Sequence, residues 1–260
     1  MNFAVGGRAA FAYTAAHELE AAKPSVVFIH GAGLDHSSFA LQSRYFGYHG
    51  WNVLALDLPG HGRSEGPPLP TVSAMADWVI AVLDHLKIEK AVLVGHSMGS
   101  LIALDAAARH PRRVEKIALI AVAYPMKVTA PFLEAAQRND FSAFDMHTVW
   151  GHAAQVPLGS NPNPGMWMHG DNLARLRRLA PGVLHSDLKA SNDFVFSGTV
   201  QCPVLFVLGK RDVMTPPRAA QALLEKLSNS KVEIAELSGH GLMSEAPDAT
   251  LDALAAFLGR

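Results

Sequence analysis

The chain has 260 residues, of which 49% are hydrophobic and 17% are charged, and this composition excludes a disordered protein. Its 22 basic and 23 acidic side chains nearly cancel, so the sequence carries no basic surface for nucleic acid and no polybasic membrane anchor. The single cysteine, Cys202, excludes an internal disulfide and cysteine-based zinc or iron–sulfur sites. At roughly 150 residues per domain, the length predicts one large domain or two small ones.

The N-terminal residues show no charged region followed by a long apolar stretch, so we expect no signal peptide. The longest notable apolar run, Ile117–Met126, is far shorter than the roughly 18 residues that a membrane-spanning helix needs. These two observations predict a soluble, cytoplasmic protein.

Short apolar runs alternate with longer helical patterns along most of the chain. Segment 2–14 alternates weakly and predicts an antiparallel edge hairpin. The six strands predicted after it are Ser25–His30, Trp51–Leu56, Lys90–Gly95, Val114–Val122, Pro203–Gly209 and Lys231–Leu237. The predicted helices are Thr71–Leu86, Met98–His110, 217–228 and 247–258. Uninterrupted apolar strands that alternate with helices predict an α/β fold, with a mostly parallel eight-stranded sheet and helices on both faces.

One interval breaks this alternation. About 80 residues separate Val122 from Pro203, whereas a crossover helix with its loops needs roughly 12–25. We therefore predict a helical lid at residues 125–198, inserted after the sixth strand; residues 1–124 and 199–260 would form the core. Within this lid segment the sequence predicts helices at Pro131–Asn139 and Asp171–Leu179 and an irregular loop at Asn161–Gly165.

The motif Gly95-His-Ser-Met-Gly99 lies where a predicted strand ends and a predicted helix begins. This is the context of a nucleophile elbow, in which the serine occupies a sharp, strained turn and its hydroxyl points away from the sheet edge. Glycine fits two residues on either side because the turn is crowded there. Ser97 is therefore the candidate nucleophile.

A serine nucleophile needs a base, and the base needs an orienting acid. On this architecture the order along the chain is Ser, then Asp or Glu, then His. Asp212 and His240 follow two later predicted strands, at the sheet edge where Ser97 emerges, and we predict that these three residues form a triad. Asp57 does not fit this order, and its Asp-Leu-Pro-Gly sequence predicts a turn in which the carboxylate accepts local N–H groups. We expect His96, which also lies beside Ser97, to point away from it.

These residues belong to a wider set of motifs that resembles enzymes of the α/β-hydrolase fold, in particular single-domain, lidded esterases. The set runs in the family's order through nearly the whole chain: His30-Gly-Ala-Gly33, Asp57-Leu-Pro-Gly-His-Gly-Arg-Ser64, Gly95-His-Ser-Met-Gly99, Gly209-Lys-Arg-Asp212 and Gly239-His-Gly-Leu-Met-Ser-Glu-Ala-Pro247. The resemblance implies an oxyanion hole formed by the backbone N–H groups of Ala32 and Met98, with Gly33 or Leu34 as alternatives to Ala32. It also implies that His30 supports this loop. The motifs are specific for the fold and not for the substrate.

The 13 histidines do not form a recognisable metal motif, since there is no His-Glu-x-x-His and no cysteine ligand set. We interpret His147, His152, His169 and His185 as scattered surface or lid residues, and we expect no metal and no cofactor.

The lid segment concentrates apolar residues that either fasten it to the core or cover a substrate pocket. Its arginines Arg175, Arg177 and Arg178 could meet a substrate carboxylate, but a solvated helix face fits their spacing better. The residues predicted to contact substrate are Leu34, Tyr124, Trp150, Trp167, Met214 and Leu242.

The sequence thus predicts a serine carboxylic-ester hydrolase, monomeric or homodimeric, acting on small, uncharged, moderately hydrophobic esters. Three alternatives stay open. The same triad could hydrolyse a carbon–carbon bond, lactone or thioester, or carry out perhydrolysis. The protein could instead be a ligand sensor that kept the triad. A haloalkane dehalogenase or epoxide hydrolase needs aspartate at the nucleophile position, and Ser97 argues against both.

Overall fold

The computed structural model describes residues 1–156 and 167–259. The loop predicted at Asn161–Gly165 lies outside the described residues, as does Met166 of the lid segment.

Within the described part of the chain, eight strands form one sheet. They are β1 (Asn2–Val5), β2 (Arg8–Tyr13), β3 (Ser25–Ile29), β4 (Asn52–Asp57), β5 (Ala91–His96), β6 (Val114–Ile120), β7 (Val204–Gly209) and β8 (Ser230–Ala235). Their order across the sheet is β1-β2-β4-β3-β5-β6-β7-β8. Pairing is antiparallel at one edge, between β1 and β2 and between β2 and β4, and parallel elsewhere. The predicted fold class and edge hairpin are confirmed.

The strand order reverses around β3, since β4 lies on one side of it and β5 on the other. In open α/β sheets such a switch point leaves a crevice beyond the carboxyl ends of the strands. Ala32 follows β3 and Ser97 follows β5, so the chain connectivity alone brings both residues to this crevice.

The helices, in chain order, are α1 (Ala40–Tyr48), α2 (Val72–His85), α3 (Met98–Arg109), α4 (Ala130–Gln137), α5 (Phe141–Trp150), α6 (Met168–Leu176), α7 (Val183–Asp193), α8 (Gln221–Lys226), α9 (Leu242–Glu245) and α10 (Pro247–Leu258). A short 3-10 helix at His36–Phe39 precedes α1, and another at Pro217–Ala220 precedes α8. The start of α2 shows why these boundaries fall where they do: the hydroxyl of Thr71 accepts the N–H of Ala74 at 3.1 Å, a standard N-cap. None of the helices in the described ranges is long and apolar enough to cross a membrane.

The core forms on both faces of the sheet because successive strand residues point in opposite directions. In β3, Val27 and Ile29 pack with α2 and α3 on one face. On the other face, Val26 and Phe28 pack with residues of α1 and α10. Every residue of β3 is buried, as expected of a parallel strand covered on both sides.

In the described part of the lid segment (125–156 and 167–198), four helices, α4 to α7, lie between β6 and β7. Helix α4 contacts α5 and α7, α5 contacts α6, and α7 reaches down to α3 of the core. Helices α5 and α7 were not predicted. In α5 the usual pattern is inverted, because Phe141 and Val149 are exposed while His147 and Thr148 are buried. Helix α6 begins three residues before the predicted Asp171.

Candidate active site at the carboxyl edge of the sheet

Ser97 occupies the turn between β5 and α3 with φ 53° and ψ −115°, in the left-handed half of backbone space. Its side chain caps no N–H group of α3, and its own N–H donates to Ile120 O at 2.8 Å. A non-glycine residue in such a conformation is strained, and strain of this kind marks a nucleophile elbow. Ser97 is 9% exposed and lines a cavity.

The glycines on either side of Ser97 are required by close contacts. A Cβ atom on Gly95 would lie 2.1 Å from Gly99 O, and a Cβ atom on Gly99 would lie 2.1 Å from Ile29 O. Each contact is with backbone, so no side chain can move aside to relieve it. The crowding predicted from the motif is therefore present on both sides of the turn.

Asp212 and His240 are in direct contact. The Nδ1 atom of His240 lies 2.8 Å from Asp212 Oδ2. Thr215 donates its hydroxyl to the same carboxylate oxygen at 2.6 Å and its N–H to Oδ1 at 2.8 Å. Burial favours the neutral acid, but the charge of His240 and the hydrogen bonds from His240 and Thr215 outweigh it and lower the pKa of Asp212 to about 2. Asp212 is thus a carboxylate at neutral pH, and an acceptor-only carboxylate fixes the proton of neutral His240 on Nδ1. The Nε2 atom is then left as the basic nitrogen.

The loop that carries His240 is held by Glu245, a residue to which the sequence assigned no role. Glu245 is 4% exposed, and its carboxylate accepts three backbone N–H groups, from Gly239, Gly241 and Ala153, at 2.9–3.0 Å. The first two flank His240, and Ala153 belongs to the lid segment. Glu245 therefore fixes the backbone around His240 and joins it to Ala153 of segment 125–198.

His96 does not contact Ser97 as a base would. Its Nε2 atom lies 2.9 Å from the carbonyl oxygen of His240, so Nε2 carries the proton and donates it to that carbonyl. Burial, followed by the charge of His240, lowers the pKa of His96 to about 3. A neutral His96 thus supports the His240 backbone through Nε2, and no hydrogen bond joins its ring to Ser97 among the described residues.

The loop after β3 has most of its polar groups already paired. The carbonyl of Gly31 lies 2.8 Å from His30 Nδ1 and accepts the N–H of Leu34 at 3.2 Å. The N–H of Gly33 donates to Asp187 Oδ2 at 2.8 Å. Among the described residues, the N–H of Ala32 donates no hydrogen bond to backbone or side chain. That of Met98, at the first position of α3, has no acceptor within its helix. Of the N–H groups considered for an oxyanion hole, these two are the ones left available.

Two cavities meet at His240. The apolar cavity, of about 130 Å³, is lined by Ser97, Ala32 and mainly apolar side chains, namely Met126, Val128, Phe132, Trp150, Leu188, Val213 and Met214. The second cavity, called the polar cavity here, has a volume of about 380 Å³. It adds polar side chains, namely Ser37, Ser38, Gln42, His152, Asp171, Asn172 and Arg175, to an apolar lining of Ala40, Leu41, Trp167, Met168 and Met243. Leu34, His96, His147 and His240 line both. Residues of the lid segment form part of each cavity.

The model of the alpha/beta hydrolase family matches residues 26–253. The chain belongs to the alpha/beta hydrolase family. It is 30% identical to a pimeloyl-[acyl-carrier protein] methyl ester esterase of Chromobacterium violaceum, over 80% of this chain and 83% of that one. It is 23% identical to an (E)-2-((N-methylformamido)methylene)succinate hydrolase of Acinetobacter baylyi, over 90% and 89% of the two chains. The enol-lactonase from Burkholderia xenovorans LB400 has the same fold, with a TM-score of 0.84, 22% identity and 99% coverage of both chains. The names of these three proteins give three different substrates.

The residues predicted to contact substrate fall into two groups in this alpha/beta hydrolase. Leu34, Trp150 and Met214 line the apolar cavity, and Trp167, which is 77% exposed, lies at the rim of the polar one. Tyr124 and Leu242 line neither cavity. The Tyr124 hydroxyl accepts the N–H of Phe196 at 2.9 Å, and Leu242 is fully buried in the core beneath α10.

Of the four histidines interpreted as scattered surface or lid residues, His169 and His185 are partly exposed, whereas the other two are not at the surface. His147 and His152 are buried, and His147 Nε2 lies 3.0 Å from the carbonyl oxygen of Ala32. The interpretation of the arginines also needs correction: Arg177 and Arg178 are exposed, but the Arg175 side chain is only 17% exposed and pairs with Asp171 at 2.5 Å inside the polar cavity.

Asp57 behaves as the turn acceptor that its sequence context predicted. Its carboxylate accepts the N–H of His36 at 2.8 Å and the N–H of Arg63 at 2.9 Å, and the His36 ring contacts it as well. Asp35, His36 and Asp57 have potential metal-ligand atoms within 4.8 Å of one another. Because both oxygens of Asp57 are already used by protein donors, this group is explained as a turn without a metal.

Four residues that shape the site were missed: Thr215, Glu245, His147 and Asp187. Thr215 could have been found, because a hydroxyl three residues after an aspartate is a common local hydrogen-bonding pattern. Glu245 lies within a motif already singled out. His147 and Asp187 contact the loop after β3 from 115 and 154 residues away, and no local pattern encodes such contacts.

Proposed function

We propose that this chain is a serine hydrolase that cleaves carboxylic esters of small, uncharged, moderately hydrophobic substrates through an acyl-enzyme. Its membership of the alpha/beta hydrolase family supports a hydrolytic role. The observation that carries the finer proposal is the hydrogen bond of 2.8 Å between Asp212 and His240, beside a cavity that Ser97 also lines.

In the proposed reaction, Ser97 attacks the ester carbonyl while His240 Nε2 takes the proton of its hydroxyl. Asp212 accepts the hydrogen bond from Nδ1–H of His240 and stabilises the imidazolium that forms. His240 then gives its proton to the departing alcohol, which leaves an acyl group on Ser97. Water cleaves this acyl-enzyme by the same route, and no cofactor takes part.

We assign the oxyanion hole to the N–H groups of Ala32 and Met98. The hydrogen bonds of the loop after β3 favour Ala32 over its two alternatives, because the N–H of Gly33 is used by Asp187 and that of Leu34 by Gly31 O. Removing one preorganised donor from such a site costs roughly 10²–10³ in kcat, so the assignment has a large catalytic consequence.

The two cavities suggest which part of the ester goes where. Ser97 lines the apolar cavity and stays bonded to the acyl group, so we place a small apolar acyl group there. His240 lines the polar cavity and protonates the leaving group, so we place the alcohol there, with hydroxyl or amide groups that hydrogen-bond to Ser38 or Gln42. The pairing of Arg175 with Asp171 leaves no net charge between them, which favours an uncharged alcohol. In this proposal, residues 125–198 form the lid and supply half of the residues that line the acyl cavity.

The test is a substrate panel assayed with wild type and Ser97→Ala. Esters with acyl chains of two to eight carbons on one alcohol, and one short acyl group on alcohols of increasing polarity, measure the preference of each cavity. A thioester, a lactone and a carbon–carbon diketone of similar size complete the panel. We expect the highest kcat/KM for a short acyl group on a polar alcohol. A higher kcat/KM for the lactone or the diketone would overturn the ester assignment and keep the serine mechanism, whereas equal rates for Ser97→Ala would overturn both.

A further inference from the structure

The peptide unit between Ala32 and Gly33 is held at both ends by side chains of the lid segment. Its carbonyl oxygen, on Ala32, lies 3.0 Å from His147 Nε2 of α5. Its N–H group, on Gly33, donates to Asp187 Oδ2 of α7 at 2.8 Å. A peptide unit is planar, so fixing its two polar ends fixes the orientation of the whole plane.

The hydrogen bonds around His147 assign its proton without ambiguity. Ala32 O is an acceptor only, so His147 Nε2 must carry the hydrogen that it donates. Burial lowers the pKa of His147 to about 4, so the ring is neutral at pH 7 and its Nδ1 atom is an acceptor. The Nδ2 group of Asn172 lies 3.1 Å from this Nδ1 and 3.0 Å from the Thr148 hydroxyl. Asn172 of α6 therefore donates to His147, and His147 in turn donates to Ala32 O.

Asp187 is anchored as firmly at the other end of the peptide. It is fully buried, and Oδ2 also contacts His61 Nε2 at 2.7 Å. His61 belongs to the loop after β4, and although burial acts against its charged form, the charge of Asp187 prevails and raises the pKa of His61. The contact with His61 and the hydrogen bond from the N–H of Gly33 hold Oδ2 of this carboxylate beneath the loop after β3.

The adjacent peptide unit contains the N–H of Ala32, the proposed oxyanion donor. Its carbonyl, on Gly31, is oriented by His30 Nδ1 at 2.8 Å and by the N–H of Leu34 at 3.2 Å. The direction of the Ala32 N–H thus depends on two neighbouring planes. Core residues fix the plane before it, and the lid fixes the plane after it.

We infer that His147 and Asp187 are positioning residues, which together hold the Ala32–Gly33 peptide so that the N–H of Ala32 points at the substrate oxyanion. This inference rests on the proposed function, because it concerns the oxyanion hole of that reaction. It gives the lid a second role besides lining the cavities: the lid completes the geometry that stabilises the transition state. Neither residue transfers a proton in this role.

The experiment compares His147→Leu with His147→Gln, whose amide can still donate to Ala32 O. The substrate is p-nitrophenyl butyrate. The inhibitor 1,1,1-trifluoro-2-pentanone forms a tetrahedral oxyanion with the serine, and butyramide reports ground-state binding. We expect His147→Leu to lower kcat about 10–100-fold and to weaken the trifluoroketone by a similar factor, somewhat less than the loss of a whole donor. KM and butyramide inhibition stay within about threefold, and His147→Gln recovers most of kcat.

Two further variants serve as a second test of the inference and as its control. Asp187→Asn loosens the other end of the same peptide and should lower kcat and trifluoroketone affinity in the same direction, so it decides the matter if His147→Leu does not fold. Lys189→Ala removes an exposed ion pair with Asp193 on α7 that reaches neither the loop after β3 nor either cavity, and its kcat should equal that of wild type. Thermal unfolding of every variant separates lost stability from lost positioning.

Unchanged kcat in a folded His147→Leu or Asp187→Asn variant would overturn the inference while leaving the serine mechanism intact. Equal weakening of butyramide and the trifluoroketone would also overturn it, since that result indicates a direct substrate contact. Absence of turnover in the wild type, with no labelling of Ser97 by a fluorophosphonate, would overturn the proposed function and this inference with it.

Discussion

The sheet edge and the lid segment contribute to the site in different ways. At the sheet edge, each key residue follows a strand within a few positions, as Ser97 follows β5 and Asp212 follows β7, and its geometry is set by a local turn. In the lid segment, the residues that reach the site lie in mid-helix, as His147 does in α5 and Asp187 in α7, and each acts across more than 100 residues. In the proposed reaction, local turns therefore place the reacting side chains, whereas long-range packing places the lid-segment residues around them.

The largest expected effect is at the sheet edge. We expect Ser97→Ala to fold normally and to lose roughly 10³–10⁶ in kcat, because it removes the nucleophile and leaves the backbone unchanged. Steady-state kinetics on a short p-nitrophenyl ester, with a circular dichroism spectrum as the folding control, measures this. Activity above a tenth of that of wild type would rule out the serine mechanism.

The second prediction distinguishes the two buried aspartates that follow strands. Asp212→Asn should keep the fold and lower kcat by roughly 10⁴, because an amide no longer holds the required tautomer of His240. Asp57→Asn should instead lower stability with a smaller effect on kcat, since Asp57 accepts the N–H groups of His36 and Arg63 in a turn. The reverse result, a damaging Asp57→Asn and a harmless Asp212→Asn, would show that the acid had been misassigned.

Buried histidines at the sheet edge and in the lid segment should make the folded state less stable in acid. Burial lowers the pKa of His30, His96 and His147 to between about 3 and 4, so all three are neutral in the folded state at pH 5 and protonated in the unfolded state. Because the unfolded state binds more protons, stability falls as pH drops below the unfolded value of about 6.5. The expected loss between pH 7.5 and pH 5 is about 2 kcal/mol per histidine. His61 opposes part of it, since its raised pKa stabilises the fold in acid.

Urea unfolding at the two pH values measures this loss. His147→Gln should reduce it by about 2 kcal/mol, because one buried histidine with a lowered pKa is removed. His49→Gln, which changes an exposed histidine, is the matched control and should leave it unchanged. An equal loss in His147→Gln and wild type would mean that His147 does not titrate as its burial predicts.

The smallest effects are expected from the two lid tryptophans. Trp150 lines the apolar cavity and contacts Phe132 with ring centroids 5.8 Å apart, whereas Trp167 is 77% exposed at the rim of the polar cavity. Trp150→Ala should therefore change kcat/KM unequally across an acyl series, by about 1–3 kcal/mol for the best acyl group. Trp167→Ala should affect mainly the alcohol series, and by less. If Trp150→Ala shifts every ester by the same factor, Trp150 packs the lid without contacting the acyl group.

The sequence predicted the sheet and the elbow well because both depend on local patterns. Apolar runs mark the buried parallel strands, and the contact that requires Gly95 is with Gly99 O, inside the motif itself. The contact that requires Gly99 is with Ile29 O of β3, but the motif alone was enough to predict a glycine there. Helix α5 escaped prediction because it buries His147 and exposes Val149, the reverse of ordinary amphipathic patterning. Tyr124 and Leu242 were placed in the pocket by their position in the chain, but their side chains turn towards the β6–β7 connection and the core.

The measurement that tests the central claim most directly is the mass of the intact protein after reaction with a fluorophosphonate, followed by peptide mapping. The account predicts a single adduct on Ser97 in wild type, none in Ser97→Ala, and much slower labelling in Asp212→Asn. An adduct on another residue, or equally fast labelling of wild type and Ser97→Ala, would contradict the assignment of Ser97 as the nucleophile activated by His240 and Asp212.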